Sequence, residues 1–164
     1  MRRIEGEALR EAAEQRFRSE YHYALFEYQR SPKVIETLER AGVTLEGRVL
    51  DCGCGGGGTI VSLAEEVRFG VGLDLDARFA GAGTRLASEK RLGNVAFVQG
   101  DGQRLPFADA VFDLVLSHSV IEHVSSAETY LAECLRVLRP GGRLYLSTAP
   151  YLSFAGAHLP RLKV

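Results

Sequence analysis

The sequence has 164 residues, 46% of them hydrophobic and 25% charged, which describes one globular domain able to bury a core and excludes a disordered tail or a fibre. Lys and Arg number 20 against 21 Asp and Glu, so the net charge of -1 offers no basic footprint for a nucleic acid or an anionic membrane surface. No apolar run approaches the ~18 residues needed to cross a bilayer. The Glu-rich start MRRIEGEALREAAEQRF also lacks the apolar stretch of a signal peptide, and these features together predict a cytoplasmic protein.

Residues 1–46 read as an N-terminal helical segment of the same domain. Ile4, Ala8, Leu9, Ala12, Phe17, Tyr21, Leu25 and Tyr28 recur near the 3.6 period, as one or two amphipathic helices. Ser31 and Pro32 form an N-cap and first-turn pair for a further short helix carrying Val34, Ile35, Leu38 and Ala41, which Gly42 closes.

Residues 47–150 form the core, in which β-rich runs alternate with helical ones, the signature of a parallel sheet covered on both faces. The predicted strands are 48–52, 69–74, 95–99, 112–118 and 143–148. The predicted helices cover 59–66, 77–92 and 127–138, the last opened by a capping box from Ser125 to Glu128 and stopped at Pro140. Residues 151–164 form a tail carrying Tyr151, Leu152, Phe154, Leu159 and Leu162.

Glycine accounts for 18 residues, five of them between Gly53 and Gly58. The stretch VLDCGCGGGG is an apolar strand ending in Asp51, then a loop whose bare backbone admits a ligand. Gly53, Gly55 and Gly58 satisfy GxGxxG, and Asp74 ends the next strand, where a carboxylate can accept both hydroxyls of a ribose. A nucleotide site follows, with its ligand still open. Asp51 narrows it, because an acidic group facing the loop suits an ammonium group and repels a pyrophosphate. S-adenosylmethionine meets that demand and a dinucleotide does not. Asp101, in VQGDGQRLPF, can accept a hydrogen bond from an adenine amino group.

VLDCGCGGGG, GVGLDLD, FVQGDGQRLPFADAVFDLVLSHSVIEHV and LRVLRPGGRLYLSTAP resemble, in order and spacing, the class I S-adenosylmethionine-dependent methyltransferases, particularly the type 11 domain. That resemblance implies a Rossmann-like doubly wound α/β sheet of order 3-2-1-4-5. It makes Asp51, Gly53, Cys54 and Gly55 the loop at the methionine end, Asp74 and Leu75 the ribose and adenine contacts, and Asp101 and Gly102 a further adenine contact. His118 stands beside the methyl group. S-adenosylhomocysteine is the implied product. A proline-rich NPPY-type signature is absent at Ser117 to Val120, which fits an oxygen, carbon or small amine acceptor. Family members usually continue into a helix and an antiparallel hairpin, for which the sequence after the fifth strand leaves no room; the expectation is either a partial chain or an edge completed differently, by the tail packing on it or by self-association through that edge or the N-terminal helices.

His118, Glu122 and His123 are the titratable cluster after the fourth strand. One of them acts as a base or positions the acceptor, or else Glu122 and His123 merely start a helix. Tyr21, Tyr23, Phe26 and Tyr28 read as a lid over the cofactor or as packing. Cys52, Cys54 and Cys134 form neither a disulfide set nor a CxxC pair, no residue set has metal-ligand spacing, and Cys54 lacks an adjacent base to make it a nucleophile. Two rival functions stay open: a nicotinamide-dependent oxidoreductase, and a non-catalytic cofactor-binding or scaffolding domain.

Overall fold

The structure, a computed structural model, describes residues 6–148. Among these residues five strands, β1 (Arg48–Cys52), β2 (Phe69–Asp74), β3 (Val95–Gln99), β4 (Phe112–His118) and β5 (Leu138–Ser147), form one parallel sheet in the order β3-β2-β1-β4-β5. Among the described residues six helices accompany them: α1 (Gly6–Gln15), α2 (Glu20–Arg30), α3 (Pro32–Arg40), α4 (Gly58–Leu63), α5 (Ala77–Glu89) and α6 (Ala127–Val137).

Successive residues of β1 serve opposite faces, which is why its sequence is apolar without alternation. Leu50 joins Val71, Leu73 and Val115 under Tyr130, Cys134 and Val137 of α6. Val49 joins Leu114 and Leu116 under Ile35 and Leu38 of α3 and Ile60 and Leu63 of α4. A third cluster, Ala24 of α2 with Val61, Ala82, Leu86 and Ala87, fastens α2 across α4 and α5.

Several boundaries differ from the sequence reading. Ser31 is not an N-cap: its backbone is helical (φ -57°) and its hydroxyl donates to the Glu27 carbonyl at 2.6 Å. The helical run is divided there into α2 and α3, because Pro32 has no N–H to continue the ladder. Gly42 (φ +67°) does close α3, with Gly42 N–H donating to Glu39 O and Val43 N–H to Leu38 O, the double bond of a Schellman end. Arg91 (φ +58°) takes the equivalent place after α5, ending it at Glu89 rather than at residue 92. α6 is capped by Ser126, whose Oγ accepts from Thr129 N–H, one residue later than the predicted box. α4 has six residues, ending before 66.

β5 also begins early. Leu138 pairs with Phe112 and Arg143 with Leu114, so residues 139–142 bulge out opposite Asp113. Arg139 meets that aspartate at 2.6 Å. No residue of α1 is buried, and its contacts are with α2. Among the described residues β5 is a sheet margin with no strand beyond it, and the expected tail at 151–164 lies outside them.

Candidate functional site

The strand order reverses at β1, between β2 and β4, and a crevice opens beyond the carboxyl ends of these strands. It holds a cavity of about 470 Å³, a volume suited to a small molecule.

Asp51 enters it from β1, registered against Gly72 on one side and Leu116 on the other, and is 4% exposed. Burial pushes its carboxyl up to about 7, opposed by the Arg30 guanidinium and reinforced by Asp74. The loop that follows is anchored by Gly53 and Cys54, whose amides both donate to the Leu73 carbonyl of β2. Gly55 is left-handed (φ +52°), and a Cβ there would approach Glu27 Oε1 at 2.7 Å and the Tyr23 ring at 2.9 Å, both of which line the cavity. The rest of the run serves a different purpose. A Cβ on Gly56 would lie 2.6 Å from Ala24 N, and one on Gly58 would strike Ala24 O and Tyr28 N. Those glycines let α2 lie directly on the loop, and they are not on the cavity wall, which corrects the expectation that the whole run is bared for a ligand.

Asp74 ends β2 with both oxygens engaged: Oδ2 accepts Gly55 N–H at 2.9 Å and Oδ1 accepts Asp76 N–H at 3.0 Å. Each oxygen keeps a second lone pair for a ligand. Leu75 follows at the mouth, 70% exposed, and Phe79 of α5 faces the same space with its ring 5.8 Å from that of Tyr23. Asp101 is an exposed part of the wall whose Oδ1 accepts Gln103 N–H at 2.8 Å, so it also turns its own loop. Gly102 is glycine for packing as well, since a Cβ would meet the Tyr130 ring at 2.6 Å. Gln103 Oε1 in turn accepts Ser126 N–H, and Arg136 reaches the carbonyls of Leu105 and Phe107, fixing this loop on α6.

His118 ends β4 half-buried, with Nδ1 hydrogen-bonded to Ser147 Oγ on β5 and the ring on the cavity wall. Burial lowers its pKa, as does Arg30, against a smaller opposing effect of Glu122, so the neutral imidazole predominates at neutral pH. Ser119 next to it holds a left-handed φ of +57°. His123 also lines the cavity, but Glu122 does not: its Oε2 accepts from Thr148 Oγ1 at 3.0 Å, and its Oε1 is buried with no partner among the described residues. Of the candidate trio, two members face the crevice. Cys54 is buried, and burial together with Asp51, Asp74 and Glu27 raises its thiol well above the ordinary value, which makes it a poor nucleophile.

The remaining wall comes from α2, whose aromatic residues the sequence reading left open as a lid over the cofactor or as packing. Tyr23, Glu27 and Arg30 lie at i, i+4 and i+7, one face of the helix, and all three line the cavity. A polar face at that spacing, opposite the apolar stripe, was the available signal. Glu27 is 5% exposed, and its Oε2 accepts Gly58 N–H at 3.3 Å. Burial, with Asp51 next to it, raises its carboxyl well above the ordinary range. The Nε of Arg30 is buried and has no hydrogen-bond partner among the described residues. Tyr21, Phe26 and Tyr28 are off the cavity wall: Tyr21 meets Glu89 and Arg85, Tyr28 lies under Lys90, and Phe26 stacks with Arg16 and Arg30.

A family model described as a methyltransferase domain matches residues 50–146. The chain belongs to the S-adenosylmethionine-dependent methyltransferase family. It is 39% identical over 121 residues to the demethylmenaquinone methyltransferase of Beutenbergia cavernae, covering 72% of this chain and 48% of that protein. Among solved structures it resembles the YcgJ protein of Bacillus subtilis (TM-score 0.63, 32% identity, 68% of this chain and 47% of the other). It also resembles the cyclase SpnF (TM-score 0.64, 28% identity, 70% and 43%). The chain therefore spans about half the length of the curated relatives it matches.

The family's methyl donor carries an ammonium, a sulfonium and one carboxylate, and the site fits that set. Glu27, Asp51, Asp74 and Asp101 line the cavity against Arg30, the one Lys or Arg among its described lining residues. Buried carboxyls call for a cation, and an unpartnered guanidinium nitrogen calls for an anion or another acceptor.

Proposed function

We propose that the chain is the donor-binding part of a methyltransferase acting on a small-molecule acceptor with an oxygen, carbon or small amine nucleophile. The observation that carries this reading is the buried Asp51 carboxyl at the base of an anionic cavity in a family defined by a cationic cofactor. When bound, S-adenosylmethionine supplies a methyl group already activated by its sulfonium.

In this reading Asp51 receives the cofactor's ammonium, Arg30 its carboxylate, and Gly53, Cys54 and Gly55 give it backbone to lie against. Asp74 accepts the ribose hydroxyls through the lone pairs left by Gly55 and Asp76. Leu75 and Phe79 cover the flat faces of the base, and Asp101 with Gly102 meets its edge. The chain contributes alignment and exclusion of water. His118, neutral and oriented by Ser147, takes the acceptor's proton as the nucleophile attacks; His123 borders the same opening and contacts the acceptor. A quinone-like ring is one candidate acceptor, suggested by the name of the Beutenbergia relative.

The test is incubation with methyl-labelled S-adenosylmethionine and acceptors from the three nucleophile classes. The expected products are a labelled acceptor and S-adenosylhomocysteine in equal amounts.

A second reading, cofactor binding without methyl transfer, is favoured by the likeness to a cyclase. Tight cofactor binding with no label transferred to any acceptor would select it. The nicotinamide reading is opposed by Glu27 and α2, which occupy the ground beside Gly58.

A further inference from the structure

The literal GxGxxG at Gly53, Gly55 and Gly58 is the pattern on which dinucleotides rest a pyrophosphate. In this fold the third glycine is covered by α2, and its amide is already bonded to Glu27 Oε2. Glu27 Oε1 points along the same run, close enough to Gly55 to leave no room for a Cβ. A carboxylate is an uneconomical way to tie two helices together if that were its whole task. It is 5% exposed, shares its surroundings with Asp51 and Asp74, and has Arg30 as its cationic neighbour. Ser, Thr or Gln could accept the same amide without burying charge.

We propose that Glu27 selects the cofactor by charge: with Asp51 it forms an anionic wall over the glycine run that accepts the ammonium of the amino-acid end and repels the phosphates of nucleotides sharing the same adenosine. This rests on the S-adenosylmethionine reading and adds to it a residue outside the glycine-loop core. The groups facing Glu27 are Asp51 from β1, Cys54 from the glycine loop, Asp74 from β2, and Tyr23 and Arg30 from α2 itself. Arg30 offsets part of the repulsion between the carboxyls. An ammonium offsets the rest, and it is then held by two anions rather than one.

The alternative is a purely structural Glu27 that holds α2 on α4. Glu27→Gln separates the two, because the amide oxygen keeps the bond to Gly58 and the shape is conserved. Calorimetric titration of the full chain with three probes reads the difference. These are S-adenosylhomocysteine, 5′-methylthioadenosine (the same adenosine without the amino-acid end) and ADP.

In Glu27→Gln, S-adenosylhomocysteine binding weakens by about tenfold, the scale of one charge-assisted hydrogen bond. 5′-Methylthioadenosine keeps its affinity within about twofold, and ADP gains on 5′-methylthioadenosine. Equal losses for S-adenosylhomocysteine and 5′-methylthioadenosine, or no loss for either, would overturn the proposal and leave the cofactor reading standing. A folded wild-type protein that binds no S-adenosylhomocysteine would overturn both.

Should Glu27→Gln fail to fold, the wild-type protein supplies a second measurement. Burial raises both carboxyls of the wall, and an ammonium facing them draws off the protons they still share near neutral pH, so S-adenosylhomocysteine binding releases more protons than 5′-methylthioadenosine binding does. Titration in two buffers of different ionisation enthalpy measures that release. Equal release by the two ligands would contradict the proposal.

Discussion

Asp74 Oδ2 accepts the Gly55 amide at 2.9 Å, so the carboxylate ending β2 shapes the glycine loop of β1 before any ligand is present. The residue assigned to the ribose is thus also a strut of the loop assigned to the methionine end. Replacing it acts on both.

Asp74→Ala is expected to weaken S-adenosylhomocysteine binding by roughly 1–3 kcal/mol through lost charge-assisted hydrogen bonds. It is also expected to lower the thermal midpoint of the ligand-free protein. Asp74→Asn, which keeps one acceptor for Gly55, should retain most of the stability while losing affinity. Calorimetry and thermal unfolding of the two variants check this; equal stability of Ala and wild type would show that the strut carries no load.

Two glycines of the same run separate binding from folding. Gly55→Ala directs a methyl at Glu27 Oε1 and Tyr23, flexible side chains on the cavity wall, and requires a left-handed backbone that costs about 1 kcal/mol or more. The expected outcome is a folded protein with impaired cofactor binding. Gly58→Ala drives its methyl into the Ala24 and Tyr28 backbone, where α2 itself would have to move. A loss of stability of at least 1–3 kcal/mol, typical of overpacking, is expected, roughly at the upper end or beyond. Denaturant unfolding and ligand titration of both variants should show the opposite rank orders.

The Asp51 carboxyl sits at about 7 in the folded protein against 3.8 for an ordinary aspartate. A raised acid pKa means that the unfolded chain loses its proton first as pH rises. The contribution of Asp51 therefore favours folding fully below about 4, declines from there to about 7, and is flat above. Asp51→Asn should raise the thermal midpoint of the ligand-free protein at pH 8, leave it little changed at pH 4, and remove the partner for the cofactor's ammonium. Thermal unfolding across that pH range measures the first two effects and calorimetry the third. A variant less stable than wild type at pH 8 would contradict the assignment.

If His118 accepts the acceptor's proton, its lowered pKa places the acid limb of kcat/KM below 6.5, with activity lost as pH falls through it and the imidazole becomes charged. His118→Gln should reduce kcat by about 10²-fold, the lower range for a general base, without changing the Kd for S-adenosylhomocysteine. A parallel loss of cofactor affinity would make His118 a binding residue instead.

The five strands and the acidic residues at their ends were legible because they follow local rules, while the strand order came from the family resemblance. Apolar runs with Asp51 and Asp74 at their ends read the same before and after folding, and alternation with helices marks the sheet as parallel. Boundaries were less legible where the chain competes with itself. Ser31 could cap a helix, yet its hydroxyl finds Glu27 O first; Pro140 to Gly142 could end a strand, yet the sheet tolerates them as a bulge opposite Asp113. The contribution of α2 was legible only in part, as a lid-or-packing alternative that included Tyr23 but not Glu27 or Arg30. Periodicity shows that Tyr23, Glu27 and Arg30 share a face, but only the packing of α2 on the glycine run turns that face toward the crevice. Glu122 shows the converse: its place after β4 suggests the site, and the hydroxyl of Thr148 draws it away.

The central claim, that the crevice beyond β1 and β4 takes a cationic amino-acid nucleoside rather than a dinucleotide, is tested most directly by calorimetric titration of the chain with S-adenosylhomocysteine and with NAD under one set of conditions. The expected result is one site per chain with micromolar affinity or better for S-adenosylhomocysteine, and NAD at least about 100-fold weaker, a difference of about 2.7 kcal/mol. NAD binding as tightly as S-adenosylhomocysteine, or more tightly, would contradict it.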